Sequence, residues 1–97
     1  MNLEELKIKL KTYKREDIIF TKHAEIRALT RNINLEEVKE NIVNPKKLVE
    51  FRKVDNKYEC YFAYSRNFCH KYVLVLNGKV IIVTIISINR EWQKTIR

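Results

Sequence analysis

The sequence contains only one glycine, one proline and two cysteines in 97 residues. So little glycine and proline is unlike a disordered chain, and two cysteines are too few for a disulfide framework. Hydrophobic residues make up 45% of the chain, so extensive disorder is not expected. No apolar run approaches the ~20 residues that cross a bilayer. The N-terminal MNLEELKIKL is charged and periodic, unlike a secretory signal. We therefore expect one domain spanning residues 1–97, intracellular and cytoplasmic, with no membrane association.

The cysteines do not indicate a metal site. Cys60 and Cys69 lack the spacing of a disulfide framework or a zinc centre. His70 follows Cys69 directly, but adjacent residues of a strand point to opposite faces. We expect reduced thiols, no metal and no cofactor.

Charge is more informative, because 20 Lys and Arg residues stand against 12 Asp and Glu residues, a net charge of +8. Such a field attracts polyanions, and nucleic acid is the leading candidate partner. A biased genome or a warm habitat would also enrich lysine, and the composition leaves both explanations open.

Three helices are predicted in the first half of the chain. A capping box begins the first, over residues 2–14; Thr21 caps a second that ends near Arg31, and Asn34 caps a third that Pro45 stops. In the second helix, the residues predicted to face the core are Ala24, Ile26, Ala28 and Leu29.

The second half predicts four strands. KLVEFRK, YECYFAYS, HKYVLVLN and KVIIVTIISI are rich in β-branched and aromatic residues, and Asn77-Gly78 is a hairpin signal. The predicted fold class is α+β, with N-terminal helices packed on a four-stranded, mostly antiparallel sheet. The proposed turns pair Leu74 with Ile81 and Ala63 with Tyr72. This register places Cys60, Phe62, Tyr64, Val73, Val75, Val80, Ile82 and Ile86 on the helix-covered face. It leaves Tyr61, His70 and Tyr72 on a mixed face suited to a partner or ligand.

The stretch FTKHAEIRALTRNI carries the main candidate site. His23, Arg27 and Arg31 lie four residues apart, so a helix stacks them in a shallow cationic spiral near its N-terminus. Imidazole transfers protons near neutral pH, and arginine binds phosphate through two hydrogen bonds. Metal-free RNA cleavage requires such groups. The alternative is a stabilising role, in which Glu25 and Glu36 pair with the arginines.

The segment FTKHAEIRALTRNINLEEVKENIVNP resembles the leading half of the family described as domain of unknown function 4258, and KYVLVLNGKVIIVTI resembles its closing hairpin. The resemblance covers about residues 17–88, so the predicted helix within residues 1–16 lies outside it. Its most specific part is the His-Ala-x-x-Arg-x-x-x-Arg pattern, which assigns only His23, Arg27 and Arg31.

That family is similar to the RelE, ParE and BrnT toxins, which implies a RelE-like fold. Relatives are often metal-independent endoribonucleases of toxin–antitoxin systems, so the resemblance implies RNA and an antitoxin protein as partners. His23 would be the acid or base and Arg27 the phosphate clamp, with Arg31 in support. Two alternatives remain open: a non-catalytic module that binds nucleic acid or protein, and a structural role for the spiral with function elsewhere.

Further candidates come from the predicted strands and the tail. Cations there would hold RNA backbone, and tyrosines would stack bases, although each tyrosine is also typical of a half-buried sheet residue. The cations are Arg52, Lys71 and Arg90, and the tyrosines are Tyr61, Tyr64 and Tyr72. The tail that carries Trp92, residues 89–97, is compatible with a helix or a strand.

Overall fold

The computed structural model describes residues 1–89, and its helices precede most of its strands. In chain order the elements are α1 (Leu3–Lys11), a short 3-10 helix (Arg15–Asp17), β1 (Ile18–Phe20), α2 (Lys22–Thr30), α3 (Leu35–Val43), β2 (Leu48–Val54), β3 (Lys57–Ala63), β4 (Phe68–Leu76) and β5 (Val80–Asn89).

Short polar side chains set the beginnings of the three helices, as predicted. Asn2 accepts a hydrogen bond from the Glu5 N–H in a reciprocal capping box. The Thr21 hydroxyl accepts from the Ala24 N–H at the start of α2, and the Asn34 side chain accepts from the Glu36 and Glu37 N–H groups at the start of α3. Asn32, at φ 55°, adopts the left-handed conformation that ends α2. These predictions are confirmed, because capping depends on residues close in sequence.

The five strands form one mixed sheet in the order β1-β5-β4-β3-β2. β1 pairs with β5 in parallel, and the other three pairs are antiparallel. The α+β class is confirmed, but the prediction of a four-stranded, mostly antiparallel sheet is wrong. The additional strand, β1, has three residues, too few to show an alternating pattern, and its partner lies about sixty residues along the chain.

The predicted register of both hairpins is also wrong. Leu74 pairs with Ile82 rather than Ile81, and a bulge follows between Val73 and Leu74. A two-residue type I′ turn needs positive φ at both central residues, whereas only Gly78 has it, at 70°. The loop therefore has three residues, closed by the Asn77 N–H and the Lys79 carbonyl at 3.0 Å.

The β3–β4 hairpin shows the larger shift. Ala63 pairs with Cys69 and Phe62 with His70, so the faces of β4 are exchanged relative to the prediction. His70 and Tyr72 lie on the helix-covered face, and Val73 and Val75 lie on the opposite one.

The core lies between the helices and that face of the sheet. Small and aliphatic helix residues meet aromatic and aliphatic strand residues there. Its buried members are Leu6, Leu10, Ile18, Ala24, Ala28, Val38, Ile42, Leu48, Tyr58, Cys60, Phe62, Tyr72, Leu74, Val80, Ile82 and Ile85. No helix within residues 1–89 is both long and apolar enough to span a membrane.

The observed register predicts different costs for neighbouring truncations in β4. Leu74→Ala should lower the free energy of unfolding by about 2–5 kcal/mol, because it leaves a cavity in the core. Val75→Ala should cost less, because Val75 is half-buried on the opposite face. Denaturant unfolding of both variants measures the difference. A larger cost for Val75→Ala would contradict the register.

Candidate functional site

Thr21 fixes the start of α2 on the sheet. Its backbone N–H donates to the Ile82 carbonyl at 3.1 Å, and its hydroxyl donates to the Val83 carbonyl at 3.0 Å. The same hydroxyl oxygen accepts from the Ala24 N–H at 3.1 Å. The first turn of α2, which carries His23, is therefore tied to β5.

The alanines of α2 determine which side of the helix is exposed. Ala24 and Ala28 are buried in the core that α2 shares with β5. Ile26 and Leu29 are 52% and 83% exposed, so the prediction that they face the core is wrong. At about 100° per residue, these two lie on the far side of the helix from the alanines.

His23 and Arg27 form a contact on the exposed surface of α2. The Arg27 Nε lies 3.5 Å from the His23 Nε2, at the long limit of a hydrogen bond. Each step of four residues advances about 40° around the helix, toward the alanine side. Arg31, the C-cap residue, is accordingly half-buried. The structure thus brings His23 and Arg27 together, with Arg31 one turn further on.

In the described part of the chain, neither of the two carboxylates expected to neutralise this spiral, Glu25 and Glu36, pairs with Arg27 or Arg31. Glu36 pairs with Arg15 at 3.3 Å and with Lys39 at 3.4 Å, and these two cations lower the pKa of its carboxyl group. Within residues 1–89, neither Arg27 nor Arg31 forms an ion pair with a carboxylate. Within that part of the chain, no carboxylate neutralises either guanidinium group, and Arg27 is exposed.

The strand candidates form a second group, on the sheet face opposite the helices. Tyr61 pairs with Lys71 across β3 and β4, and Arg52 lies opposite Glu59. The Lys71 ammonium lies 5.7 Å from the Tyr61 ring centre and 3.6 Å from Glu59, which also approaches Arg52 at 3.8 Å. Burial, followed by the charge of Glu59, raises the pKa of Tyr61. The sheet separates this group from His23 and Arg27.

Exposure distinguishes the three candidate tyrosines. Tyr61 is 3% exposed and Tyr72 is fully buried, whereas Tyr64 is 55% exposed. The Tyr72 hydroxyl accepts from the Asn41 amide at 2.9 Å, and burial raises its pKa to about 12. The predictions for Arg90 and for the tail residues 90–97 fall outside the described residues.

His70 is a notable side chain that the predicted register placed on the wrong face. It is 4% exposed, and its ring stacks on that of Tyr64 at 4.1 Å between centroids. Burial lowers its pKa, while the charge of Glu37 on α3 acts in the opposite direction. Alternation could not reveal this placement, because both residue sets of β4 contain apolar side chains.

Within residues 1–89, no group of three or more His, Cys, Asp or Glu side chains is placed to hold a metal ion.

In comparisons with known proteins, the chain matches no family model, no curated protein and no solved structure. The resemblance to the domain of unknown function 4258 family and to RelE-like toxins therefore stays a prediction.

The burial of His70 predicts a pH-dependent stability. The unfolded chain takes up a proton at an ordinary histidine pKa of 6.5, whereas burial lowers the pKa of His70 in the folded chain. The unfolded state thus binds more protons as the pH falls below about 6.5, so the free energy of unfolding should decrease there. Denaturant unfolding between about pH 5 and pH 8 measures this slope.

Two variants test whether His70 causes this pH dependence of the free energy of unfolding. In His70→Gln, the free energy of unfolding should change less with pH than it does in the wild-type chain. His23→Gln, which removes the exposed histidine, should keep the wild-type pH dependence. An unchanged slope in His70→Gln would contradict the assignment.

Proposed function

We propose that this protein binds RNA and that the exposed surface of α2 holds the phosphodiester backbone. The observation that carries this proposal is the His23–Arg27 pair, exposed and without a carboxylate partner in the described chain. A guanidinium offers a phosphate two parallel N–H donors. An imidazole offers another donor through the ring nitrogen that carries its proton.

Two further features support this assignment. Lys22 and His23 lie in the first turn of α2, where the helix dipole favours an anion, whereas Arg27 lies in its last turn. The net charge of +8 supplies the long-range attraction of a polyanion.

Replacement of Arg27 tests the backbone contact. Arg27→Ala should weaken the binding of single-stranded RNA and reduce the slope of log K against log salt by about 0.7 for one lost phosphate contact. Fluorescence anisotropy between about 50 and 200 mM salt measures both quantities.

Arg15→Ala is the matched control for this measurement. It removes the same charge, but Arg15 already pairs with Glu36 and Glu40, at 3.3 and 2.6 Å. Its effect on RNA binding should therefore be smaller. Equal effects of the two variants would mean that only net charge matters, and the α2 contact would be rejected.

RNA cleavage is the second candidate function, favoured by the position of the imidazole. Nε2 of His23 faces the Arg27 guanidinium, so a phosphate that engages Arg27 lies beside a proton-transfer group. His23 would take the proton of the 2′-hydroxyl, the 2′-oxygen would attack phosphorus, and the 5′-oxygen would leave with a proton taken from water. Arg27 would stabilise the charge on the pentavalent phosphorane. This chemistry needs no metal. The family that residues 20–45 resemble is similar to toxins that are often metal-independent ribonucleases, and by that analogy an antitoxin would be the inhibitor.

Replacement of His23 separates cleavage from binding. His23→Ala should slow cleavage by about 100- to 10,000-fold, the usual contribution of a general acid or base, whereas RNA affinity, still supported by Arg27, should fall far less. The measurement is the appearance of 2′,3′-cyclic phosphate ends from labelled RNA in the presence of a chelator. Cleavage that persists in His23→Ala would assign the activity elsewhere or to a contaminant. If the wild-type chain binds RNA without cutting it, the protein is a binding module.

A further inference from the structure

The β3–β4 hairpin presents exposed aromatic and cationic side chains. Its loop is closed by the Tyr64 and Ser65 N–H groups, which lie 3.4 and 3.0 Å from the Phe68 carbonyl. Tyr64 and Phe68 are both exposed, and Arg66 lies between them in the loop. Within residues 1–89, Arg66 forms no ion pair. Exposed aromatic rings close in sequence to a cation are the combination that single-stranded nucleic acids bind.

Tyr64 is held in place by a series of rings that leads into the core. Its ring stacks on that of His70 at 4.1 Å with 20° between the planes. The ring centroids of His70 and Tyr72 lie 6.5 Å apart, and the Tyr72 ring stacks on that of Phe62 with 4.6 Å between centroids. One face of the Tyr64 ring is thus supported from inside, while 55% of the residue remains in solvent.

The environment of His70 fits a supporting role. Buried polar groups normally form hydrogen bonds, yet within the described chain the imidazole of His70 makes ring contacts and no hydrogen bond. Its position, opposite Phe62 and Ser87 in the sheet, is fixed by the backbone of β4. A buried planar ring packed behind Tyr64 restricts the positions of the Tyr64 ring, which reduces the ordering cost when a further ring stacks in front.

We propose that the outer face of Tyr64 is a stacking platform for an unpaired RNA base, with Arg66 holding an adjacent phosphate. The proposal rests on the proposed RNA-binding function and names a second contact with the same ligand. Tyr61 and Tyr72 cannot play this part in the observed conformation, because both rings are buried. Stacking discriminates unpaired from paired bases, so the expected ligand is single-stranded RNA.

The test uses the full chain and single-stranded RNA of about 12 nucleotides carrying the fluorescent base 2-aminopurine, whose emission falls on stacking. Tyr64→Ala should lower affinity by about 5- to 150-fold and abolish the quenching, whereas Tyr64→Phe should retain both. Tyr64→Leu, which is apolar but not planar, should behave like Tyr64→Ala. Circular dichroism and thermal melting establish that each variant is folded.

Salt dependence distinguishes this contact from the backbone contact on α2. Tyr64→Ala should leave the salt slope unchanged, because it removes no phosphate contact, whereas Arg27→Ala should reduce it. Binding of fully paired RNA should not respond to Tyr64→Ala, since it offers no unpaired base.

The outcomes separate the two proposals. Loss of affinity in Arg27→Ala but not in Tyr64→Ala would overturn the platform and leave the α2 contact standing. The reverse result would support the platform and reject the α2 contact. Absence of RNA binding by the wild-type chain at low salt would reject both. If the wild-type chain forms dimers that Tyr64→Ala dissociates, and RNA binding is unaltered, the hairpin serves self-association and the stacking platform is rejected.

Discussion

The attachment of β1 and the first turn of α2 to β5 is the constraint on which the candidate site depends. Asp17 pairs with Lys79 at 3.3 Å just before β1, and Thr21 bonds to the Ile82 and Val83 carbonyls just after it. Since Ala24 and Ala28 project little from the helix, α2 packs closely on the sheet. The side chains one position before each alanine, His23 and Arg27, are consequently directed away from the core.

Local interactions made the helices predictable, and non-local ones made the sheet difficult. Asn2, Thr21 and Asn34 act on backbone groups two or three residues away, so their roles could be identified from spacing. The pairing of Ile18 with Val80 depends on the whole intervening chain. Asn77-Gly78 correctly located a turn, but the number of loop residues depended on whether one or both adopt positive φ. That single difference shifts the faces that the strands present to the helices.

The candidate site was predictable to the same extent as the secondary structure that carries it. His23 and Arg27 share one helix, so their proximity followed from a spacing of four residues. Arg52, Tyr61 and Lys71 do lie together, but on the sheet face opposite the helices and around Glu59. No local pattern indicates which face of a strand is covered when both its residue sets contain apolar members. The stack of Tyr64 on His70 could not be predicted for the same reason.

The chemistry of RNA cleavage explains why we propose RNA binding ahead of cleavage for the exposed surface of α2. Cleavage by the 2′-hydroxyl removes one proton and delivers another to the leaving oxygen, and an imidazole is the side chain best suited to each transfer near neutral pH. The whole chain has two histidines, and one of them, His70, is buried beneath Tyr64. On α2, His23 would therefore act with arginine, which does not lose its proton. Phosphate binding requires only the groups already in place there, whereas cleavage requires a second proton-transfer group or a solvent molecule in that role.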